Sequence, residues 1–180
     1  QSAWQGKEDR LRRGLNRILE LLGASGGRWT FFILGWIEKE FPAAVRSIAE
    51  AGHEVASHGF SPAKVYDLSR EAFREEVRMT RRALEDAGGA RVVSHRSPFF
   101  SVTRKSLWAL DILREEGYEA DSSVSPAVTW RYGIAGSPHG PYIIRGSGLV
   151  EFPVTTFDFF SRRLGIGGAY FRIFPYGLLA

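Results

Sequence analysis

Apolar residues recur along this chain with two different periods, and segments of the two kinds alternate. Leu11, Leu15, Ile18, Leu19 and Leu22 fall at i, i+4, i+7, i+8 and i+11, the spacing of one helix face. They predict a helix from Glu8 to Leu22, closed by Gly23. The run Trp29-Thr30-Phe31-Phe32-Ile33-Leu34 lacks polar alternation, the pattern of a strand buried on both faces. Pro42 to Ala51 reads as a second helix, with Pro42 in a first turn that needs no N–H and Gly52 just past the end. His53 to Ser57 is the next strand. Ser69 is placed to cap a long helix reaching Ala87, with Phe73, Val77, Thr80 and Leu84 as its buried stripe. Arg91 to Ser94 is a third strand. Thr103 opens a helix through Leu107, Leu110 and Leu113 that Gly117 ends, and Tyr118 to Ala120 is a fourth strand. Pro126 to Pro141 reads as loop. Tyr142 to Arg145 and Leu149 to Thr155 then form two strands joined by Gly146-Ser147-Gly148. Pro153 cannot donate to a ladder, which makes the second of these an edge strand or a bulged one.

Strands alternating with helices predict an α/β fold with a parallel sheet. Its 180 residues suit one domain, and no linker-like stretch or repeat divides it. In such folds chemistry gathers at the carboxyl ends of the strands. Gly35 and Trp36 follow the first strand, His58, Gly59, Phe60 and Ser61 the second, His95, Arg96, Ser97 and Pro98 the third, and Asp121, Ser122 and Ser123 the fourth.

Composition narrows the chemistry. There is no cysteine, which removes disulfides, thiolate metal sites and cysteine nucleophiles together. The longest mainly apolar stretch, Trp29 to Ile37, is far shorter than the ~20 residues of a membrane helix, so no membrane segment is expected. Lys and Arg number 24 against 20 Asp and Glu, a net charge of +4. The arginines sit among acids, as on solvated helix faces, and no nucleic-acid motif accompanies them. No Gly-x-Ser-x-Gly elbow and no Walker loop is present. The chain opens on Gln1 and closes in the apolar run Ala169 to Ala180. Natural termini are usually polar, so a fragment cut at both ends is expected.

Three residues carry candidate chemistry. His58 follows a strand and precedes a glycine, where its imidazole suits a metal ligand or a hydrogen-bonded loop residue. His53 lies at the opposite, starting end of that strand and reads as structural. Arg96, in a loop stiffened by Pro98, suits two-pronged binding of a carboxylate or a structural ion pair. Asp121 can orient a histidine or cap the turn through Ser122 and Ser123. Phe99, Phe100 and Trp130 suit sugar stacking or the core.

Several segments, taken in order, resemble the polysaccharide deacetylase family, carbohydrate esterase family 4, in the NodB-homology class. They are Thr30-Phe31-Phe32-Ile33-Leu34-Gly35, Gly52-His53-Glu54-Val55-Ala56-Ser57-His58-Gly59-Phe60, Arg96-Ser97-Pro98-Phe99-Phe100-Ser101, Asp121-Ser122-Ser123 and Gly167-Gly168-Ala169-Tyr170-Phe171-Arg172. The subgroup they resemble is the one linked to bacterial exopolysaccharide and exosortase loci. The resemblance implies a distorted (β/α) barrel, here truncated at both ends. It also implies a divalent metal, usually zinc, and hydrolytic removal of N-acetyl groups from a polysaccharide or oligosaccharide, in the bacterial cytoplasm or cell envelope. His58 matches the first metal histidine of the family, and Arg96 the arginine that orients its catalytic base. Asp121 is expected to serve the same site. The second metal histidine would fall at position 62, which is Pro62. The family's acidic pair lies upstream of the first helix and its acid histidine beyond the last strand read here. A non-catalytic, carbohydrate-binding relative that has lost the metal is the competing expectation.

Overall fold

The computed structural model describes residues 7–159 and 162–165. Along them run α1 (Lys7–Ala24), β1 (Thr30–Ile33), α2 (Gly35–Glu40), α3 (Pro42–Glu50), β2 (Glu54–Ser57), α4 (Arg70–Gly88), β3 (Ser94–His95), α5 (Trp108–Glu115) and β4 (Ala120–Asp121). Four strands complete the order: β5 (Tyr142–Ile143), β6 (Val150–Glu151), β7 (Thr156–Phe159) and β8 (Arg162–Gly165). The main sheet has six strands in the order β1-β2-β3-β4-β6-β5. Every pairing in it is parallel except β5 with β6. β7 and β8 form a separate antiparallel pair. The expected α/β class with a parallel sheet is the fold observed. The apolar run from Ala169 and the Gly167–Arg172 motif lie outside the described residues.

α4 shows how local sequence and packing agree. Its cap Ser69 Oγ accepts the Ala72 N–H at 3.1 Å, and Gly89 closes the other end at φ 69°, a conformation glycine adopts without Cβ strain. Phe73, Val77, Thr80 and Leu84 are its buried residues, the stripe read from the periodicity. Leu84 and Val77 join Val45, Ile48, Val55, Leu113 and Tyr118 in one core between the helices and the sheet. Each such aliphatic side chain contributes about 1.5–3 kcal/mol on burial.

Four expectations change. β1 is an edge strand among the described residues, with Thr30 exposed and Phe31 and Phe32 half-buried. Its aromatic run reflects ring contacts on two sides: Phe31 stacks on His53 at 5.5 Å, and Phe32 lies under Arg96. The helix expected to open at Thr103 begins only at Trp108, and Gly35 and Trp36, which follow β1, open the short helix α2. Pro153 lies past β6, which is an inner strand between β4 and β5. Its missing N–H therefore costs the ladder nothing. Finally, the arginines of α4 are not simply solvated. Arg74 and Arg78 both reach Glu116 beyond α5 at 2.8 Å, and these bonds hold the Glu116 carboxyl below its usual range, Arg78 contributing most.

Candidate functional site

β1, β2, β3 and β4 run parallel, so the segments that follow them emerge at one end of the sheet. The first two are bound to each other through main chain. Gly35 N–H donates to Gly59 O at 2.9 Å and Trp36 N–H to Phe60 O at 3.2 Å. A side chain at Gly35 would not fit, since its Cβ would stand 2.7 Å from the Phe60 ring. Gly59 takes φ 77°, turning the chain directly after His58.

This turn places His58 beside the third strand's loop. Its Nδ1 lies 2.6 Å from the Arg96 carbonyl oxygen. A carbonyl only accepts, so Nδ1 carries the proton and Nε2 keeps its lone pair. Burial lowers the His58 pKa and the Arg96 charge adds to this, while the bond to the carbonyl works against both. His58 is thus a neutral imidazole of defined tautomer, the form in which imidazole ligates or accepts a proton.

The Arg96 side chain is held from three directions. Its Nε donates to Ser122 O at 3.2 Å and one terminal nitrogen to Ser122 Oγ at 2.7 Å. The guanidinium carbon lies 4.2 Å from the Phe32 ring centre and 5.7 Å from that of Phe100. Phe100 gets there through strain. Phe99 and Phe100 both take positive φ, 58° and 51°, where a non-glycine residue costs of order 1–3 kcal/mol. The same turn sets Phe100 against Tyr132 at 5.8 Å. Arg96 borders a cavity of about 540 Å3 lined also by Phe32, Glu54, Ser94, Ser122 and Phe152. Arginine held with its fork facing such a space suits a carboxylate or another oxyanion.

Asp121 sits differently. It is in register with His95 on one side and Glu151 on the other. Its carboxylate accepts from Ser123 N–H at 3.1 Å and Ser123 Oγ–H at 2.7 Å. It does not bond a histidine. His95 instead meets the hydroxyls of Ser57 and Ser97, each at 3.2 Å, while its ring packs on Phe73 and Tyr118. Burial pushes the His95 imidazole down to about 3, so it stays neutral. Of the sequence-derived residues, then, His58 and Arg96 are brought into contact. Asp121 joins them only through the Ser122-Ser123 turn. Trp130 is exposed and carries Arg131 over its ring at 4.3 Å. Glu151 escaped the sequence reading. A lone acid in the apolar strand Leu149-Val150-Glu151-Phe152 was the available signal.

A catalytic metal of the kind the resemblance implies needs three protein ligands. Among the described residues no three His, Asp or Glu side chains are grouped to hold one. Pro62 brings no donor atom to the place where the resemblance calls for a second imidazole. These residues by themselves do not fit the metal.

Comparisons with known proteins agree with this architecture. Residues 7–120 match the model of the polysaccharide deacetylase family, and residues 122–180 match one described as a domain of unknown function. The main sheet takes strands from both segments. The chitooligosaccharide deacetylase of Rhizobium leguminosarum bv. trifolii is 31% identical over 97 residues, 54% of this chain and 42% of that protein. A solved structure from Mycobacterium smegmatis, placed among polysaccharide deacetylases, is 29% identical with a TM-score of 0.66, over 79% of this chain and 46% of that one. A carbohydrate esterase family 4 pseudoenzyme from Bacillus anthracis is 29% identical with a TM-score of 0.51, over 54% of this chain and 34% of that one. The chain spans less than half the length of each of these proteins. With a family model matched over more than half its length, the chain belongs to the polysaccharide deacetylase family.

Proposed function

We propose that this chain is the Arg96-bearing part of a metal-dependent N-deacetylase acting on an N-acetylated polysaccharide or oligosaccharide, and that residues 1–180 form one domain. The observation that carries the reading is the His58–Arg96 contact at the ends of adjacent parallel strands, within the segment that matches the family model. Arg96 presents a cation able to fix a carboxylate beside the scissile amide. Its neighbours Phe32 and Phe100 shield that cation from water, which strengthens the attraction. His58 supplies one imidazole nitrogen. Zinc is the ion the resemblance implies, and its further ligands would have to come from outside the described residues. An exopolysaccharide substrate, met in the bacterial cytoplasm or cell envelope, is the finer reading that the subgroup resemblance supports.

A second reading rests on Pro62: a relative that binds saccharide without hydrolysing it. One experiment separates the two. Metal content after dialysis and acetate release from chitooligosaccharides are measured on the full protein that carries these residues. The deacetylase reading expects one metal ion per chain and acetate release, both lost in His58→Ala. Metal-free protein that binds the oligomers but releases no acetate overturns it in favour of the second reading.

A further inference from the structure

Glu151 is fully buried, yet it is an acid that no expectation singled out. It stands on β6 in register with Asp121 of β4 and Tyr142 of β5. One of its oxygens, Oε1, accepts the Val124 N–H at 2.9 Å. The other, Oε2, is buried with no hydrogen-bond partner among the groups around it. Asp121 differs in that both its oxygens are supplied, by the Ser123 N–H and by the Ser123 hydroxyl.

Two facing carboxyl groups form a hydrogen bond only if one keeps its proton. Donors favour the charged form and burial without donors favours the neutral acid. Asp121 has two donors and Glu151 has one, so the proton belongs on Glu151, at the oxygen that nothing else satisfies. The titration of the pair agrees. Burial, then the Asp121 charge, push Glu151 up to about 10. Burial also raises Asp121, while its bonds from Glu151 and Ser123 pull it back. The other ionisable groups that act on the pair are Arg96, from the loop after β3, and the Tyr142 hydroxyl on β5.

What the pair holds is the seat of Arg96. Phe152, next to Glu151, donates its N–H to Asp121 O at 2.7 Å. Its carbonyl accepts the Ser122 hydroxyl at 2.7 Å, and that same hydroxyl accepts from Arg96. Ser123 Oγ, which donates to Asp121, accepts the Ser97 N–H at 2.8 Å, fixing the residue after Arg96.

We propose that Glu151 is a positioning residue: as a neutral acid it donates a hydrogen bond to the Asp121 carboxylate and so locks together the ends of β4 and β6 that seat the Arg96 guanidinium. The role of Arg96 toward substrate rests on the deacetylase reading; the lock itself does not.

The test uses two spectroscopic readouts that need no activity. Infrared spectra of protein with isotope-labelled glutamate side chains are taken at about pH 8, well above the ordinary glutamate range of ~4.3. A protonated carboxyl band is expected in the wild type and its loss in Glu151→Gln. The Arg96 Nε–H resonance is followed by NMR. It should stay in place in Glu151→Gln, whose carboxamide donates to Asp121 while its oxygen still accepts from Val124. It should shift or broaden away in Glu151→Ala. Absence of the band in the wild type, or its persistence in Glu151→Gln, overturns the proposal. So does displacement of the Arg96 signal in Glu151→Gln, or an unmoved signal in Glu151→Ala. Should Glu151→Ala not fold, the wild type and Glu151→Gln decide alone. If these results hold while acetate release fails, the deacetylase reading falls and the lock stands.

Discussion

The His58–Arg96 corner and the Asp121–Glu151 pair occupy neighbouring strand ends and are built in opposite ways. At the first, main-chain bonds join the loops, His58 is only half-buried, and Arg96 borders the cavity. At the second, acids are sealed from water and spend their hydrogen bonds on turns and on each other. The His58 ring makes one hydrogen bond, through Nδ1, and Arg96 is seated by Ser122 at the cavity's edge. A group that sets geometry is saturated, and the cost of desolvating it is offset only while every partner stays in place. Substitutions in the two regions should therefore divide between chemistry and stability.

The largest stability effect is expected for Asp121→Ala. It leaves Ser123 N–H, Ser123 Oγ and the Glu151 proton without an acceptor in a dry site. Each buried donor left unsatisfied costs about 1–3 kcal/mol, and each kcal/mol lowers Tm by about 2–4 °C at this size. Thermal unfolding within 1 °C of wild type would remove the distinction between the two regions.

Gly35→Ala comes next. The new Cβ lands 2.7 Å from the Phe60 ring, and overpacking of this kind costs about 1–3 kcal/mol. Because Gly35 binds the loop that carries His58, the His58 ring resonances should move as well. A melt and an NMR spectrum that both match wild type would show that the loop yields without strain.

The pH dependence of stability sharpens the contrast further. The folded His95 pKa, about 3, lies below its ordinary 6.5, so the unfolded chain binds more protons between those values. Stability then rises with pH through that window, by at most ~1.4 kcal/mol per unit, and is lost as pH falls. His58, lowered in the folded state, acts in the same sense. Glu151 has its pKa raised from 4.5 to about 10. The folded chain binds the extra proton there, and stability falls as pH rises through that window. The two slopes oppose each other where the windows overlap. Stability should rise from about pH 3, level between about 4.5 and 6.5, and fall above it. Denaturant titrations across this range test the shape, and Glu151→Gln should flatten the alkaline side.

The smallest stability effect belongs to His58→Ala. The ring's one hydrogen bond is to a half-buried carbonyl, a contact worth about 0.5–1.5 kcal/mol. A Tm shift of more than about 8 °C would assign His58 to the frame instead.

How much of this could be read from the chain alone varies from element to element. α4 was legible because cap and stripe are local: Ser69 and the Phe73–Leu84 spacing each act within a few residues. His58 and Arg96 were legible as strand-end residues for the same reason, since a strand followed by a glycine or a proline turn marks its own end. β1 and the segment at Pro153 were misread. Burial on both faces depends on which strands flank a segment, and nothing local says that β1 has one neighbour while β6 has two.

The sequence by itself determined the alternation of helices and strands and the placing of His58 and Arg96 at strand ends, where they meet. Tertiary structure alone decided that Asp121 has an acid beside it and that both are buried. Asp121 and Glu151 become a pair only because β6 inserts beside β4 ahead of β5, a pairing between distant segments. Charge state follows from burial and partners, and neither exists until the sheet has formed.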